Sequence, residues 1–467
     1  MKLEQIYTKC LAQGAYYIES NGEAAVIDPL RETFPYLNRA KNDGAQIKYI
    51  FETHFHADFV SGHLDLAKDT GATIVFGPEA SPSFDFHSAK DGEVFQIGAL
   101  TITVLHTPGH TMESTCYLLK DDKDKELAVF TGDTLFIGDV GRPDLAQKSA
   151  DLTQEDLAGI LYESLRSKIM PLNDDVMVYP AHGAGSACGK NMSKETFSTL
   201  GEQKHSNYAL QKELSKDDFI RELTDGLLPP PQYFGMNVAL NKSGYDRINE
   251  VINRGLNPIE LDDFEKVSMQ EDVLILDTRK ASEFAKGHIP NSIFVGLEGQ
   301  FAPWVGALIP DIQQKMVLIT PIGKEEEAVR RLARVGYDQV VGYLDGSFQN
   351  WLERGKAIET VDRITVDELL SLDLSASTIV DVRKPGEYEA SHINDALLLP
   401  LDFIQNNIDA YPKQPFVLHC AGGYRSMIAA SILKKSGIRE IRDVIGGFNA
   451  IPANSEITST FVCPSGN

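Results

Sequence analysis

Cysteine is scarce in this 467-residue chain, and Cys10, Cys116, Cys188, Cys420 and Cys463 are odd in number and far apart. Scattered thiols of this kind make no disulfide framework and suit a reducing cytoplasm. Positive charge is also short: 44 Lys and Arg stand against 67 Asp and Glu, a formal net charge of -23. A chain this acidic is repelled by nucleic acid and by anionic membrane surfaces, so neither is an expected partner. No apolar run approaches the length that spans a bilayer. The start Met1-Lys2-Leu3-Glu4-Gln5 has no signal-like apolar stretch. A cytoplasmic protein is the expectation. Hydrophobic residues make up 42% of the chain and charged residues 24%, as in ordinary globular proteins. The length exceeds one hydrophobic core and calls for about two to four domains.

Residues 1 to about 205 alternate short β-rich runs with turns. The runs lie at 24–28, 47–51, 73–76, 100–105, 114–119, 127–130 and 176–179. A helix is predicted over 153–168, where Thr153 and Asp156 approximate a capping box. Leu227-Leu228-Pro229-Pro230-Pro231 cannot continue a helix and reads as a stiff spacer within a connector that ends near 257.

Residues 258–467 hold an internal repeat. Ile275-Leu276-Asp277-Thr278-Arg279 parallels Val380-Asp381-Val382-Arg383, and Gly287-His288-Ile289 parallels Ser391-His392-Ile393. The Asp-to-His interval is the same in both copies, Asp277 to His288 and Asp381 to His392. Each copy alternates strands and helices, which predicts a small parallel-sheet α/β domain. The expected domains are 1–257, 258–360 and 361–467.

Thr53-His54-Phe55-His56-Ala57-Asp58-Phe59 follows the apolar run at 47–51. Three later segments repeat the placement of a ligand-type residue just past a β-run with glycine beside it. They are Thr107-Pro108-Gly109-His110, Thr131-Gly132-Asp133 and Tyr179-Pro180-Ala181-His182-Gly183. Strand exits along one sheet edge can bring such side chains to one metal.

These residues resemble the metallo-β-lactamase fold superfamily, which implies an αββα sandwich over residues 1 to about 205. In its two-metal hydrolases the second metal takes Asp58, a His at position 59, Asp133 and His182. Phe59 has no lone pair, so the resemblance implies one metal held by His54, His110 and Asp133. His56, Asp58 and His182 then orient ligands or bind substrate. Two imidazoles and a carboxylate with open positions suit Fe(II), one per chain. Zinc accepts the same atoms, so the metal does not follow from residue types alone. Gly138-Asp139-Val140-Gly141-Arg142-Pro143-Asp144 and the proline-rich stretch at 229–237 resemble the persulfide dioxygenase branch. Arg142 is a candidate anchor for an anionic substrate or half of a structural ion pair. Cys188 either meets a sulfur substrate near the metal or is inert.

The second repeat carries Phe416-Val417-Leu418-His419-Cys420-Ala421-Gly422-Gly423-Tyr424-Arg425-Ser426. An apolar strand runs into a cysteine, then a small-residue loop, then a helix from about Ser426. Backbone N–H groups of such a loop and the helix start favour a thiolate or persulfide. Arg425 adds a cation. The spacing resembles the rhodanese sulfurtransferases, which implies that Cys420 carries sulfur and that Ala421, Gly422, Gly423 and Tyr424 form its loop. In the first repeat Val317-Leu318-Ile319-Thr320-Pro321-Ile322-Gly323-Lys324 stands in that place without a cysteine. A spacer or docking wall is its expected role, with a retained anion-binding function as the alternative.

The whole chain resembles bacterial fusions of a persulfide dioxygenase with two rhodanese-like domains, the first inactive. The resemblance implies sulfide detoxification. A low-molecular-weight thiol persulfide and O2 would give sulfite and thiol, and Cys420 would exchange sulfur with sulfite or thiosulfate. Relatives with this sandwich often associate, which allows a homo-oligomer. Two alternatives stay open: a zinc thioester hydrolase of the glyoxalase II type, and a persulfide carrier or scaffold.

Overall fold

The computed structural model describes residues 1–147, 151–373, 376–453 and 455–459; Cys463 lies outside them. It divides into two compact units. One holds Met1–Ile248 together with Ala333–Gly336; the other holds Asn249–Leu332 and Tyr337–Asn467.

The first unit is built on two six-stranded sheets. One runs in the spatial order Lys2–Thr8, Gln13–Ser20, Glu23–Ile27, Gln46–Glu52, Thr73–Phe76, His87–Ser88. The other runs Ser198–Thr199, Met177–Pro180, Glu126–Gly132, Thr115–Lys120, Leu100–His106, Val94–Ile97. Successive residues on a strand point to opposite faces, and here both faces are buried. Tyr16 and Ile18 pack with Phe51, Ile102, Tyr117 and Phe130 between the sheets. Ala15 and Tyr17 pack outward against Tyr36 and Leu66 of the helices Phe34–Asp43 and His63–Thr70. The outer face of the second sheet packs through Val129 and Val178 onto Leu157's neighbours Ala158 and Leu161 in the helix Gln154–Ser164. The result is an αββα sandwich. That helix starts on the predicted Thr153–Asp156 capping box. Its predicted last turn is wound instead as the π-helix Leu165–Ile169.

The stretch read as a connector is part of the first unit up to Ile248. Its helix Phe234–Ser243 carries Asn241, which is fully buried. Asn241 Nδ2 donates to the His56 and Phe59 carbonyls at 2.8 Å, and its Oδ1 accepts from Ser61 N at 2.9 Å. The segment therefore clamps the loop that follows strand Gln46–Glu52, because the backbone groups of a buried loop need partners.

The second unit holds two five-stranded parallel sheets of the same strand pattern. The central strands are Val273–Asp277 and Lys315–Ile319 in the first repeat, and Thr378–Asp381 and Phe416–His419 in the second. The motif used to recognise the repeat is a fold element in both copies. Arg279 binds Asp277, donates to the Gly287 carbonyl at 2.9 Å and lies 3.9 Å over the Phe348 ring. Arg383 does the same with Asp381, the Ser391 carbonyl at 2.8 Å and Phe448 at 4.0 Å.

Candidate metal centre and sulfur-transfer site

Each predicted ligand stands where a strand leaves its sheet. The exit of Gln46–Glu52 is pinned by Asp28, whose carboxyl accepts from Thr53 N at 2.8 Å and Thr53 Oγ1 at 2.9 Å. The Thr53 hydroxyl proton is thereby spent, so Thr53 Oγ1 can only accept from His54 Nδ1, 3.0 Å away. His54 Nε2 then carries a bare lone pair. Past Leu100–His106, His110 Nδ1 lies 2.8 Å from the Arg142 carbonyl, which can only accept. The proton must sit on Nδ1, and His110 Nε2 is also a lone pair. Gly141 makes this approach: a Cβ there would stand 2.8 Å from His110 Nδ1 and 2.0 Å from the Asp133 carbonyl. Past Glu126–Gly132, Gly132 takes φ 51° beside Thr53, where a Cβ would lie 2.5 Å from Thr53 Oγ1. The turn delivers Asp133.

These three side chains meet. Asp133 Oδ2 lies 3.5 Å from His110 Nε2 and 3.8 Å from His54 Nε2. All three residues are buried, and neither Asp133 Oδ2 nor His110 Nε2 has a hydrogen-bond partner. Two imidazole lone pairs and a carboxylate oxygen facing one another without a proton are costly in a dry site unless a cation lies among them. The donor set fits a divalent metal. Burial, with His56 adding to it, holds His54 well below the usual imidazole range, so its ring stays neutral, as a ligand must be.

His182 does not share that geometry. Its Nδ1 lies 2.7 Å from Asp133 Oδ1 and its Nε2 lies 2.9 Å from Asp58 Oδ2. Burial alone would depress the ring; the charges of Asp133 and Asp58 overcome this and hold it well above the usual range. Through its Nδ1 contact it orients Asp133, while its Nε2 and Asp58 Oδ1 make no hydrogen bond. Phe59 is fully buried, with its ring 4.3 Å from that of His56. His56 turns away from the ligand cluster, its Nε2 lying 3.1 Å from Asp28 Oδ1 and 3.6 Å from Glu52 Oε2.

The anion-anchor reading of Arg142 is not met. Its guanidinium is committed to Asp144 at 2.6 and 2.7 Å, to the Ala187 carbonyl at 3.1 Å and to the Leu228 carbonyl at 2.5 Å. It frames the loop whose own carbonyl orients His110. Cys188 lies with Asp58 and His182 within 4.8 Å of one another. Burial pushes its thiol well up, and Asp133 and Asp58 add to this. Sequence reading missed Asp28, Asn241 and Glu113, whose Oε1 accepts from Phe55 N at 3.2 Å. Each comes from a separate segment, and only their hydrogen bonds to the ligand loop reveal them.

In the second unit Cys420 follows strand Phe416–His419 and is almost fully buried. Gly423 N donates to its Sγ at 3.1 Å, and Ser426 Oγ lies 3.5 Å from it. Gly423 takes φ 91° and starts the helix Tyr424–Lys435, two residues earlier than predicted. The Gly446–Gly447 turn holds the loop from behind: Phe448 N donates to the Cys420 carbonyl and Asn449 N to that of Ala421. Cys420, Ala421, Gly422, Tyr424 and Arg425 line a cavity of about 450 Å³, and Gln300 and Trp304 of the Cys-less repeat form part of its wall. Arg425 is paired with Glu387 at 2.6 and 2.7 Å, so its charge is partly met before any anion arrives.

Comparison with known proteins agrees with both halves. The metallo-beta-lactamase superfamily model matches residues 9–182, and the rhodanese-like domain model matches 260–354 and 365–454. The chain is 31% identical over 221 residues to the human mitochondrial persulfide dioxygenase ETHE1, covering 47% of this chain and 78% of that one. It is 26% identical over 230 residues to the hydroxyacylglutathione hydrolase GloC of Haemophilus influenzae, covering 44% of this chain and 97% of that one. A crystal structure of a metallo-beta-lactamase from Staphylococcus aureus subsp. aureus COL superimposes with a TM-score of 0.66 at 30% identity. It covers 74% of this chain and 98% of that one. The chain belongs to the metallo-beta-lactamase superfamily, in the architecture that joins its sandwich to two rhodanese-like domains.

Proposed function

We propose that the chain is an Fe(II)-dependent persulfide dioxygenase coupled to a sulfurtransferase. The observation that carries the reading is the convergence of His54 Nε2, His110 Nε2 and Asp133 Oδ2, with buried Phe59 standing where a two-metal site would need a histidine. That set supports one metal rather than two, which favours an oxygenase over a two-zinc thioester hydrolase. An iron there would supply O2 activation and a seat for the terminal sulfur of a thiol persulfide. The overall change is RSSH + O2 + H2O to RSH, sulfite and two protons.

The chain's own residues do the rest of the work at both sites. Asp28 and the Arg142 carbonyl fix the two ring tautomers, and His182 fixes Asp133. The Gly423 N–H and the helix start hold negative charge on sulfur at Cys420. Cys420 persulfide gives its outer sulfur to sulfite, making thiosulfate and regenerating the Cys420 thiolate; thiosulfate loads it in reverse. Carrying both centres in one chain raises the local concentration of the shared sulfite.

Oxygen uptake and metal content test the reading together. Persulfide-dependent O2 uptake should survive Cys420→Ser and disappear in His110→Ala, while loading of sulfur on residue 420 should show the opposite pattern. Two zincs per chain with thioester hydrolysis and no O2 uptake would overturn it. The scaffold alternative fails if O2 uptake tracks His110.

A further inference from the structure

The sulfur of Cys420 has a polar chain behind it that ends on a buried charge pair. Ser426 Oγ lies 3.5 Å from Cys420 Sγ and 2.6 Å from Asp443 Oδ1. Asp443 Oδ2 in turn accepts from Arg363 Nε at 2.9 Å. Ser426 and Asp443 are both fully buried. A serine hydroxyl has one proton, so it cannot donate to both the sulfur and the carboxylate.

The repeat supplies an internal comparison. Strand register pairs Leu418 with Asp443 in the second copy as it pairs Leu318 with Tyr343 in the first. It pairs Arg363 with Asp443 as it pairs Pro258 with Tyr343. Counting from the equivalent Leu418 and Leu318, Cys420 stands where Thr320 does and Ser426 where Glu326 does. The Cys-less copy has therefore replaced all four members: cysteine, serine, aspartate and arginine. The Asp277–Arg279 clamp, which serves the fold, persists in that copy. The chain behind Cys420 thus goes with the cysteine and not with the fold.

We propose that Ser426 and Asp443 are positioning residues that set the protonation of Cys420: the Asp443 carboxylate takes the Ser426 proton and leaves the Ser426 oxygen facing the sulfur as an acceptor. In that state the pocket favours the S–H form. When Asp443 takes up a proton from solvent, it donates to Ser426, and the Ser426 proton turns to the sulfur and favours the thiolate. The groups facing Asp443 are Arg363 from strand Asp362–Ile364 and Ser426 from helix Tyr424–Lys435; His419 on the adjoining strand is directed at Asp381, 3.7 Å away. Burial pushes Asp443 up to about 6 against the opposing pull of Ser426 and Arg363, which puts the change of state near neutral pH.

The test is the pH profile of Cys420 alkylation by iodoacetamide in the reduced full-length protein, read on the Cys420 peptide by mass spectrometry. Asp443→Asn removes both the proton acceptor and a like charge, so the midpoint should fall by about one unit, a tenfold gain in thiolate below it. In a Ser426→Ala background the same substitution should move it by less than half as much. A midpoint that stays or rises, or a shift of equal size without the hydroxyl, overturns the proposal. If Asp443→Asn does not fold, the native protein decides: its profile should carry a second inflection near pH 6 that Ser426→Ala removes, and a simple one-proton curve overturns the idea. The proposal rests on Cys420 as sulfur carrier only for its purpose. Failure of that reading would appear separately, as no sulfur loaded on Cys420 from thiosulfate.

Discussion

His182 Nδ1 stands 2.7 Å from Asp133 Oδ1, and through that bond it turns the other carboxylate oxygen toward His54 and His110. A partner that orients a ligand is worth about 10–100-fold in metal affinity. His182→Ala should lower metal affinity by that factor and leave the His54–His110–Asp133 set able to bind. The check is metal content after dialysis against graded chelator. Affinity equal to the native protein would show that Asp133 needs no such partner.

A single metal per chain is expected after reconstitution with either iron or zinc, measured by elemental analysis. His110→Ala and Asp133→Asn should each remove it. Phe59→His supplies the donor missing beside Asp58 and should add a second, weaker zinc position. Two zincs on the native chain would mean that His182 leaves its bridge between Asp133 and Asp58 when metal is present.

The strand exits and the candidate ligand types were legible in the sequence because each such residue directly follows an apolar run and sits beside a turn glycine. His54, His110 and Asp133 meet on that account. What the sequence could not show is the second ring of contacts, since side chains from segments far apart carry no period or spacing. Asn241 reaches the His56 carbonyl across 185 positions and Gln13 reaches the Asp28 carbonyl across 15. The same holds for Arg142: the sequence shows a cation beside the metal loop, and only the fold shows Asp144 and two carbonyls taking its donors. In the repeat, the Asp-X-Arg and His signals were read correctly as a shared fold, because both copies need the clamp.

The Cys-less repeat holds the active loop of its neighbour in the same unit. Tyr424 Oη donates to the Gly296 carbonyl at 2.7 Å, and its ring lies against Gly299, where a Cβ would stand 2.3 Å from the ring. Gly299→Ala must displace Tyr424 and with it the start of the Cys420 loop. Displacements of this size cost a reaction about ten- to a hundredfold. Thiosulfate-dependent sulfur transfer should fall by that amount while persulfide-dependent O2 uptake is unchanged. Tyr424→Phe loses one hydrogen bond, about 1 kcal/mol, and should lower transfer by no more than about fivefold. If both activities fall together in Gly299→Ala, the substitution has damaged the chain as a whole.

Arg425 faces the Cys420 cavity already paired with Glu387, whose side chain is 37% exposed against 16% for Arg425. The pair opposes anion entry, since an incoming thiosulfate or sulfite must compete with a carboxylate for the same guanidinium. Glu387→Gln keeps the size and one hydrogen-bond acceptor but removes the competing charge. The KM for thiosulfate should fall by up to about fivefold, the ~1 kcal/mol ceiling of a solvent-screened charge pair. The gain should shrink as salt rises, because screening weakens the native pair as well. Arg425→Ala should raise the same KM and make Glu387→Gln without further effect, since the two act through one group. Steady-state kinetics with thiosulfate as donor at two ionic strengths decides this. A KM that rises in Glu387→Gln would mean that Glu387 serves to aim the guanidinium rather than to compete for it.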